Sequence, residues 1–544
     1  MGNLVSHDVE GAYKKVCQDL LDNDPETNTD GCLHWASPPL QKEQLEHFME
    51  CLGKNTSLKR LVLRDLEAIA LTESPSLVKA ILGHSSLECL GFSGRMPKEN
   101  FQVFVDAFLQ SPSLHELEIE NSIIPADTID GVISILQQQE KPTKKISSLK
   151  LQGCQVEASE LARLTKALDE TASSVATTLK VLEITLKPPI VAEEAAQHLA
   201  QFVKAKDSVL LDINFDGFLA QSMPVLAEGM QGHASLQRLQ FKGRGVNEND
   251  SIVAIGKLLC ETPPPKLRVL DLSECQLTAA SVSQLAKSFL DGKEKCAKLE
   301  ELHLANNWIS DDGTVALCKI LENPDSTLSK HLKVLDLRNN RIGTAGIMAL
   351  AKSFAHNDIN KSILECLYLG EQSVRPSRRF EDEEAQALAG MIQSNTILKE
   401  ISLEDGSFLD DEGIEGVMNA VTQNATLKTF KVPCFSTARL RMMIAKLPKL
   451  TLEKMHIYVS DCELDEEISK ALLESLEQSK SLLEFSIDGF TQRSELAWKA
   501  LRPKIDELLA ARNNETDAPA KRPIEKEENG GEGEDESAKR AKTD

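Results

Sequence analysis

Apolar residues recur along the chain in the pattern L-x-x-L-x-L, and the pattern returns at a nearly constant interval. The clearest copies are LRVLDLSECQLT from Leu267, LEELHLANNWIS from Leu299 and LKVLDLRNNRIG from Leu332. Each continues to a Cys or Asn and then one further apolar residue: Cys275 and Leu277, Asn307 and Ile309, Asn340 and Ile342. Looser copies begin at Leu58, Leu87, Leu114, Ile146, Leu179, Leu210, Leu236, Leu364, Leu398, Leu427, Leu452 and Leu482. That makes 15 starts, 25 to 34 residues apart with a mean near 30. A divergent unit precedes them at Leu33, where GCLHWASPP leads into the helical QLEHFMECL.

Alternation of this kind puts the Leu positions on one side of a short strand, all facing a common core. The Asn or Cys that follows turns the chain and satisfies backbone groups that the tight turn leaves unpaired. Helical periodicity comes next. After Leu277 it places Val282, Leu285, Ala286 and Phe289 on one stripe, and after Asp410–Asp411 it places Ile414, Val417, Met418 and Val421. In the unit from Leu299, Ser310 and Asp311 are expected to cap a helix whose inward stripe includes Val315, Cys318 and Leu321. One strand and one helix cannot close a core alone, so the units must stack, strands inside and helices outside. An α/β enzyme fold also alternates strands and helices, but it does not repeat one motif at near-constant period.

These residues resemble the leucine-rich-repeat superfamily, in its ribonuclease-inhibitor-like class with long helical repeats. The resemblance covers roughly residues 33–490, tightly over Leu267–Ile342 and loosely elsewhere. It implies an α/β solenoid, a horseshoe of about 15–16 repeats with a concave parallel β-sheet and helices on the convex side. Relatives in that class include ribonuclease inhibitors, the sensor regions of NOD-like receptors and the GTPase-activating proteins of Ran.

The ends read differently from the middle. Residues 1–57 are expected to form an N-terminal helical cap and the divergent first unit, with a stripe near Val9, Tyr13, Val16 and Leu20. Repeats then occupy 58–493. Residues 494–512, carrying Leu496, Trp498, Leu501, Ile505, Leu508 and Leu509, read as a helical C-terminal cap, kinked or split at Pro503. In 513–544 Ile524 is the only large apolar residue, so this charged tail is expected to be disordered.

Charge narrows the partners. The 544 residues hold 61 basic and 84 acidic side chains, a net −23. Such a field repels phosphate backbones, so no nucleic-acid binding is expected, and a protein partner with basic character is favoured. MGNLVSHDVE lacks the basic and apolar regions of a secretory signal, and no apolar run is long enough to span a bilayer, which together point to a cytoplasmic protein. The 12 Cys are scattered, without a CxxC pair or His-flanked metal spacing, and are expected to be reduced, mostly buried thiols. Asn-x-Ser/Thr sequences at Asn55 and Asn424 carry no meaning without a secretory route.

No phosphate-binding loop, zincin motif, nucleophile elbow or dinucleotide fingerprint occurs, and the 11 His are dispersed. No intrinsic catalytic site, metal or cofactor is expected. Binding is the better-supported chemistry, because the residue between the last two apolar positions of each motif projects from the concave sheet. From the seventh repeat on, those positions are Gln240, Asp271, His303, Asp336, Tyr368, Ser402, Lys431, His456 and Ser486. One step beyond the strand stand Ser273, Arg338, Glu404 and Tyr458. Asp271, Ser273, His303, Asp336, Arg338, Tyr368, Glu404 and Tyr458 are therefore the candidate protein-binding set. Two of the chain's three Tyr fall among them, a residue type that anchors interfaces. Trp308, in the turn after Asn307, is expected to fold over its own loop or to serve as a rim contact. Arg378, with Arg375 and Arg379, forms a basic segment that is either a receptor for an anionic group or a solvated loop paired with residues 381–384.

Three further features bear on function. Gly243, Arg244, Glu248 and Asn249 resemble a Gly-Arg…Glu-Asn stretch of the Ran GTPase-activating proteins, one residue out of register. Regulation of a Ran-like small GTPase, with Arg244 as a rim contact, is thus the alternative to a non-enzymatic recognition scaffold. Met1–Ser6 fits the N-myristoylation pattern with Gly2 as acceptor, and membrane attachment is expected only if Gly2 is acylated. Lys539, Arg540 and Lys542 form a basic cluster of the nuclear-import type, so the expected location extends to the nucleus. The sequence identifies neither the partner nor the oligomeric state.

Overall fold

In a computed structural model, the described residues are 32–516 except 36–41, 65–74, 95–97, 139–144, 191, 219–220, 261–265, 293–294, 356–362, 371, 373–381, 405–408 and 461, together with Lys14, Cys17, Gln18, Leu20 and Leu21. Sixteen strands lie in one open sheet in chain order, each parallel to the next. Helices alternate with the strands and pack on one another along the opposite side, so the chain is a leucine-rich-repeat solenoid. No helix among the described residues is long and apolar enough to cross a membrane.

The apolar triplets form the core. Leu267, Leu270 and Leu272, Leu299, Leu302 and Leu304, and Leu332, Leu335 and Leu337 are all buried. Strand register sets equivalent residues side by side, as in Leu270↔Leu302↔Leu335↔Leu367↔Ile401↔Phe430↔Met455↔Phe485. The divergent unit joins this ladder, with Cys32–Trp35 paired to Arg60–Leu63.

Buried side chains in the turns tie successive repeats together. Asn307 Nδ2 donates to the carbonyls of Leu272, Leu304 and Ala305, while its Oδ1 accepts from the amides of Cys275 and Leu277. Asn340 repeats the donor pattern one unit later, toward Leu304, Leu337 and Arg338. Gln372 takes the same slot next, accepting from the amides of Asn340 and Ile342 and donating to Leu337. Where the slot holds Cys, the thiol donates to carbonyls instead, as Cys275 does to Phe241 at 3.1 Å. A second set of amides closes the turn before several strands. Asn55 and Asn424, both buried, accept from the amides of Leu58 and Leu427 and donate to carbonyls of the preceding segments. Their Asn-x-Ser/Thr sequences therefore serve the backbone.

The helix stripes at Val282–Phe289 and Ile414–Val421 are buried. Asp410 caps its own helix, accepting from the Gly413 amide at 2.7 Å. The unit from Leu299 departs from expectation. Asp311 caps the following repeat's helix, accepting from the amides of Gly343 at 2.7 Å and Gly346 at 2.8 Å. Val315 is only partly buried, because Thr314 and Leu317 take the inward positions.

Cys260 and Cys296 are joined in a disulfide, against the expectation of thiols throughout. Neighbouring repeats bring the end of the helix Asn249–Leu259 beside the segment entering the strand Glu301–His303, with Cα atoms 3.8 Å apart. Nine other described Cys are free.

At the C-terminal end one helix, Gln492–Thr516, is continuous through Pro503, so the cap is not split there. Trp498, Leu501, Ile505 and Leu509 are buried, while Leu496 is exposed. Arg512 donates to the Leu482 carbonyl at 2.9 Å, fastening the helix over the final repeat. The tail from 517 on lies outside the described residues, as do Val9, Tyr13 and Val16.

Candidate functional site

Strand register aligns Gln240, Asp271, His303, Asp336, Tyr368, Ser402, Lys431, His456 and Ser486 as successive partners in one column. Each belongs to a strand whose flanking residues are buried Leu, Ile, Phe, Met or Val, so the alternation of the strand dictates the outward direction.

A connected polar network occupies the middle of this face. Asp336, 3% exposed, accepts charge-assisted bonds from Arg338 Nε and Nη2, the latter to Oδ2 at 2.6 Å. Its other neighbour, His303, stands 3.9 Å away and also contacts Glu301 at 3.1 Å. Burial pushes the Asp336 carboxyl up, but His303 and Arg338 outweigh it and hold the group at about 2. Burial opposes the His303 charge too, yet the Asp336 and Glu301 carboxylates leave its pKa raised. The Arg338 guanidinium lies 5.5 Å from the Tyr368 ring centre, and the Lys431 ammonium lies 5.6 Å from it. Lys431 also pairs with Glu400 at 3.1 Å and Glu404 at 3.7 Å. Burial, and then Glu400, push the Tyr368 hydroxyl well above its usual pKa, so it stays a neutral donor.

Tyr458 belongs to a second cluster nearer the C-terminus. Its ring is 4.1 Å from that of His456, which bonds to Ser486 and contacts Asp488 at 3.1 Å. Burial lowers the His456 pKa, with Asp488 opposing. A cavity of about 430 Å³ opens here between Lys431, His456 and Ser486 on the sheet and Arg502 and Asp506 on the C-terminal helix.

The candidate set is thus largely brought together. Asp336, His303, Arg338, Tyr368 and Glu404 share one network, with Lys431 as the link toward His456 and Tyr458. Asp271 bonds to Gln240 at 2.8 Å and to the Ser273 amide, stiffening that edge of the network. Arg244 begins the 3-10 turn Arg244–Asn247 after the strand Arg238–Lys242. Trp308 is 41% exposed, and the Arg341 guanidinium of the next repeat sits 4.9 Å from its ring centre. Arg378, Gly2, Lys539, Arg540 and Lys542 lie outside the described residues.

Sequence reasoning missed Glu301 and Glu400, which project from the same strands two positions before the column it followed. It also stopped short of the earlier repeats. There Arg60 bonds to Glu118 through Nε at 2.7 Å and pairs with Glu120 at 3.1 Å, both carboxylates being buried. Glu183 accepts from Gln152 and Asn214 across adjacent strands. Burial raises the carboxyls of Asp212 and Asp216 in the same region. The sequence carries the signal, since every second residue of a strand faces outward, but it is weaker in these repeats because their motifs are looser. Along the outward positions of the described strands carboxylates outnumber cations.

Comparison with known proteins places the repeats in context. Residues 264–286, 295–318 and 328–351 match the family described as Leucine Rich repeat. The ribonuclease inhibitor of Sus scrofa is 26% identical over 291 residues, covering 48% of this chain and 60% of that protein. NACHT, LRR and PYD domains-containing protein 5 of Mus musculus is 26% identical over 220 residues, covering 35% of this chain and 18% of that protein. The chain spans less than two thirds of the length of these curated relatives. Among solved structures, the yeast Rad7 and Elc1 complex aligns with a TM-score of 0.40 at 16% identity, over 80% of this chain and 94% of that one.

Proposed function

We propose, from the premise that the chain belongs to the leucine-rich-repeat family in its ribonuclease-inhibitor-like class, that it is a non-enzymatic recognition scaffold gripping a protein partner on its concave face. The observation that carries this reading is the unbroken column from Gln240 to Ser486, in which two aromatic-centred polar networks stand on an apolar-backed sheet. Rigid strands and buried ion pairs hold these groups in place before contact, which reduces the ordering cost of binding. The surplus of carboxylates favours a partner presenting Lys or Arg, with Tyr368 and Tyr458 supplying apolar area and a hydroxyl. A specific interface needs about 1,600 Å² in total, an area that a few neighbouring strands and their rim turns can supply.

The test is capture of binding partners by the intact protein and by a Glu301→Lys/Tyr368→Ala variant. Neither residue is deeply buried, so the fold is retained, whereas a lysine at Asp336 would bury an unpaired charge. A partner lost only from the variant, and associating faster at low salt, supports the proposal; identical capture by both proteins rejects it. A second reading is regulation of a Ran-like small GTPase, drawn from the position of Arg244 in a turn at the rim of the sheet. It predicts stimulated GTP hydrolysis that is lost in Arg244→Ala, and an absence of stimulation rejects it.

A further inference from the structure

The N-terminal region gathers a second, separate chemistry. The helix Lys42–Lys54 places His47 and Cys51 four residues apart, hence on one face one turn apart. Cys51 Sγ lies 3.7 Å from His47 Nε2. Cys17 reaches the same point from an earlier segment, which is held against the first repeat by the bond from Asn55 Nδ2 to the Leu20 carbonyl at 2.7 Å. One ligand atom from each of Cys17, His47 and Cys51 lies within 4.8 Å of the other two. Both thiols are buried, whereas the imidazole is exposed.

We propose that Cys17, His47 and Cys51 bind a zinc-type divalent cation, with solvent in the fourth position. The donor set selects the metal class: two thiolates and an imidazole suit a borderline-soft ion and do not suit calcium or magnesium, which take oxygen ligands. The geometry fits as well. Bonds of about 2.3 Å to sulfur and about 2.0 Å to nitrogen in a tetrahedron separate S and N ligands by roughly 3.5 Å, close to the Cys51–His47 spacing. The remaining separations, all within 4.8 Å, close by at most about 1.3 Å, within reach of thiol rotamers. Binding releases the two thiol protons to solvent and changes no oxidation state. Through its three ligands the ion staples the segment bearing Cys17 to the helix of the divergent first unit, stabilising the end of the solenoid where the sheet begins. Sequence reading looked for paired histidines and for cysteines close in sequence. It therefore passed over a His–Cys pair one helical turn apart, completed by a Cys 30 residues upstream of His47.

The experiment titrates Co²⁺, and then Zn²⁺ in competition, into the reduced full-length chain. One equivalent of cobalt should give a thiolate charge-transfer band and the intense visible bands of a tetrahedral site, both erased by zinc. Cys17→Ser and Cys51→Ser should each weaken cobalt binding on the order of a hundredfold. His47→Ala, at an exposed position that cannot unfold the helix, should weaken it with circular dichroism unchanged. Cys260→Ser, which removes a thiol from a different close pair, should leave the signal intact. Absence of a tetrahedral cobalt spectrum overturns the proposal. So does a spectrum unaltered in Cys17→Ser and His47→Ala, or a Cys17–Cys51 disulfide in peptide maps of the protein as purified.

Discussion

Replacing Asn307 by alanine strips one buried turn of its organising side chain. The amide of Asn307 is 1% exposed and serves five backbone groups on two adjacent repeats, at 2.8 to 3.2 Å. Alanine leaves the Cys275 and Leu277 N–H groups buried without their acceptor, at about 1–3 kcal/mol each. The carbonyls of Leu272, Leu304 and Ala305 lose a donor but can retain a second partner, so they add less. A total destabilisation of roughly 3–5 kcal/mol follows, large for one residue. Because repeats unfold partly independently, the sharpest assay is amide hydrogen exchange followed peptide by peptide, alongside a urea titration. The amides of Cys275 and Leu277 should exchange on the order of a hundredfold faster, the equivalent of about 3 kcal/mol. Amides near Leu117, many repeats away, should be unchanged. If Asn307→Ala costs under about 1 kcal/mol and those two amides keep their protection, side-chain bridging does not hold the repeats together.

Other outcomes follow from the same structure. Asp336 has a folded pKa depressed to about 2, so its stabilisation is complete above its unfolded pKa and is lost as pH falls through about 2. Asp336→Asn should therefore flatten the acid limb of a melting-temperature profile by about 2 kcal/mol equivalent between pH 5 and pH 2. His303 behaves with opposite sign, its raised pKa contributing stability below the unfolded value that is lost as pH rises through the folded one; His303→Gln should remove that alkaline decline. Gly346→Ala should destabilise by about 1–3 kcal/mol in thermal melts, because its added carbon would meet Ile342 and lie 2.7 Å from the Asp311 carboxylate that caps this helix. Trp308→Ala should cost under about 1 kcal/mol, since its ring is 41% exposed and faces the Arg341 guanidinium; a larger loss in chemical denaturation would mean that it braces the turn.

Legibility varied with the range of the interaction. Each LxxLxL triplet announced a strand by itself, and the Asn after it announced a turn, because alternation and turn chemistry act over a few residues. Asp311 was misjudged because its partners, Gly343 and Gly346, lie one full repeat away, and a capping residue is assigned from sequence only by its nearest helix. The Arg341 contact to Trp308 was out of reach of the sequence for the same reason, since it comes from the next unit. The disulfide escaped notice because a separation of 36 residues signals proximity only when both ends fall at the same height in neighbouring repeats. Lys431 was read as facing outward, but its role in joining Tyr368 to Glu400 and Glu404 rests on contacts across three strands.

The chain alone determined the repeat, the direction each strand residue faces and the excess of negative charge, since periodicity and composition need no knowledge of neighbours. Only the tertiary structure decided which charges neutralise one another, which side chains bridge repeats, and that Cys17 meets His47 and Cys51. Those outcomes depend on how far each unit is rotated and shifted against the next, a geometry set by packing of whole repeats and carried by no single motif.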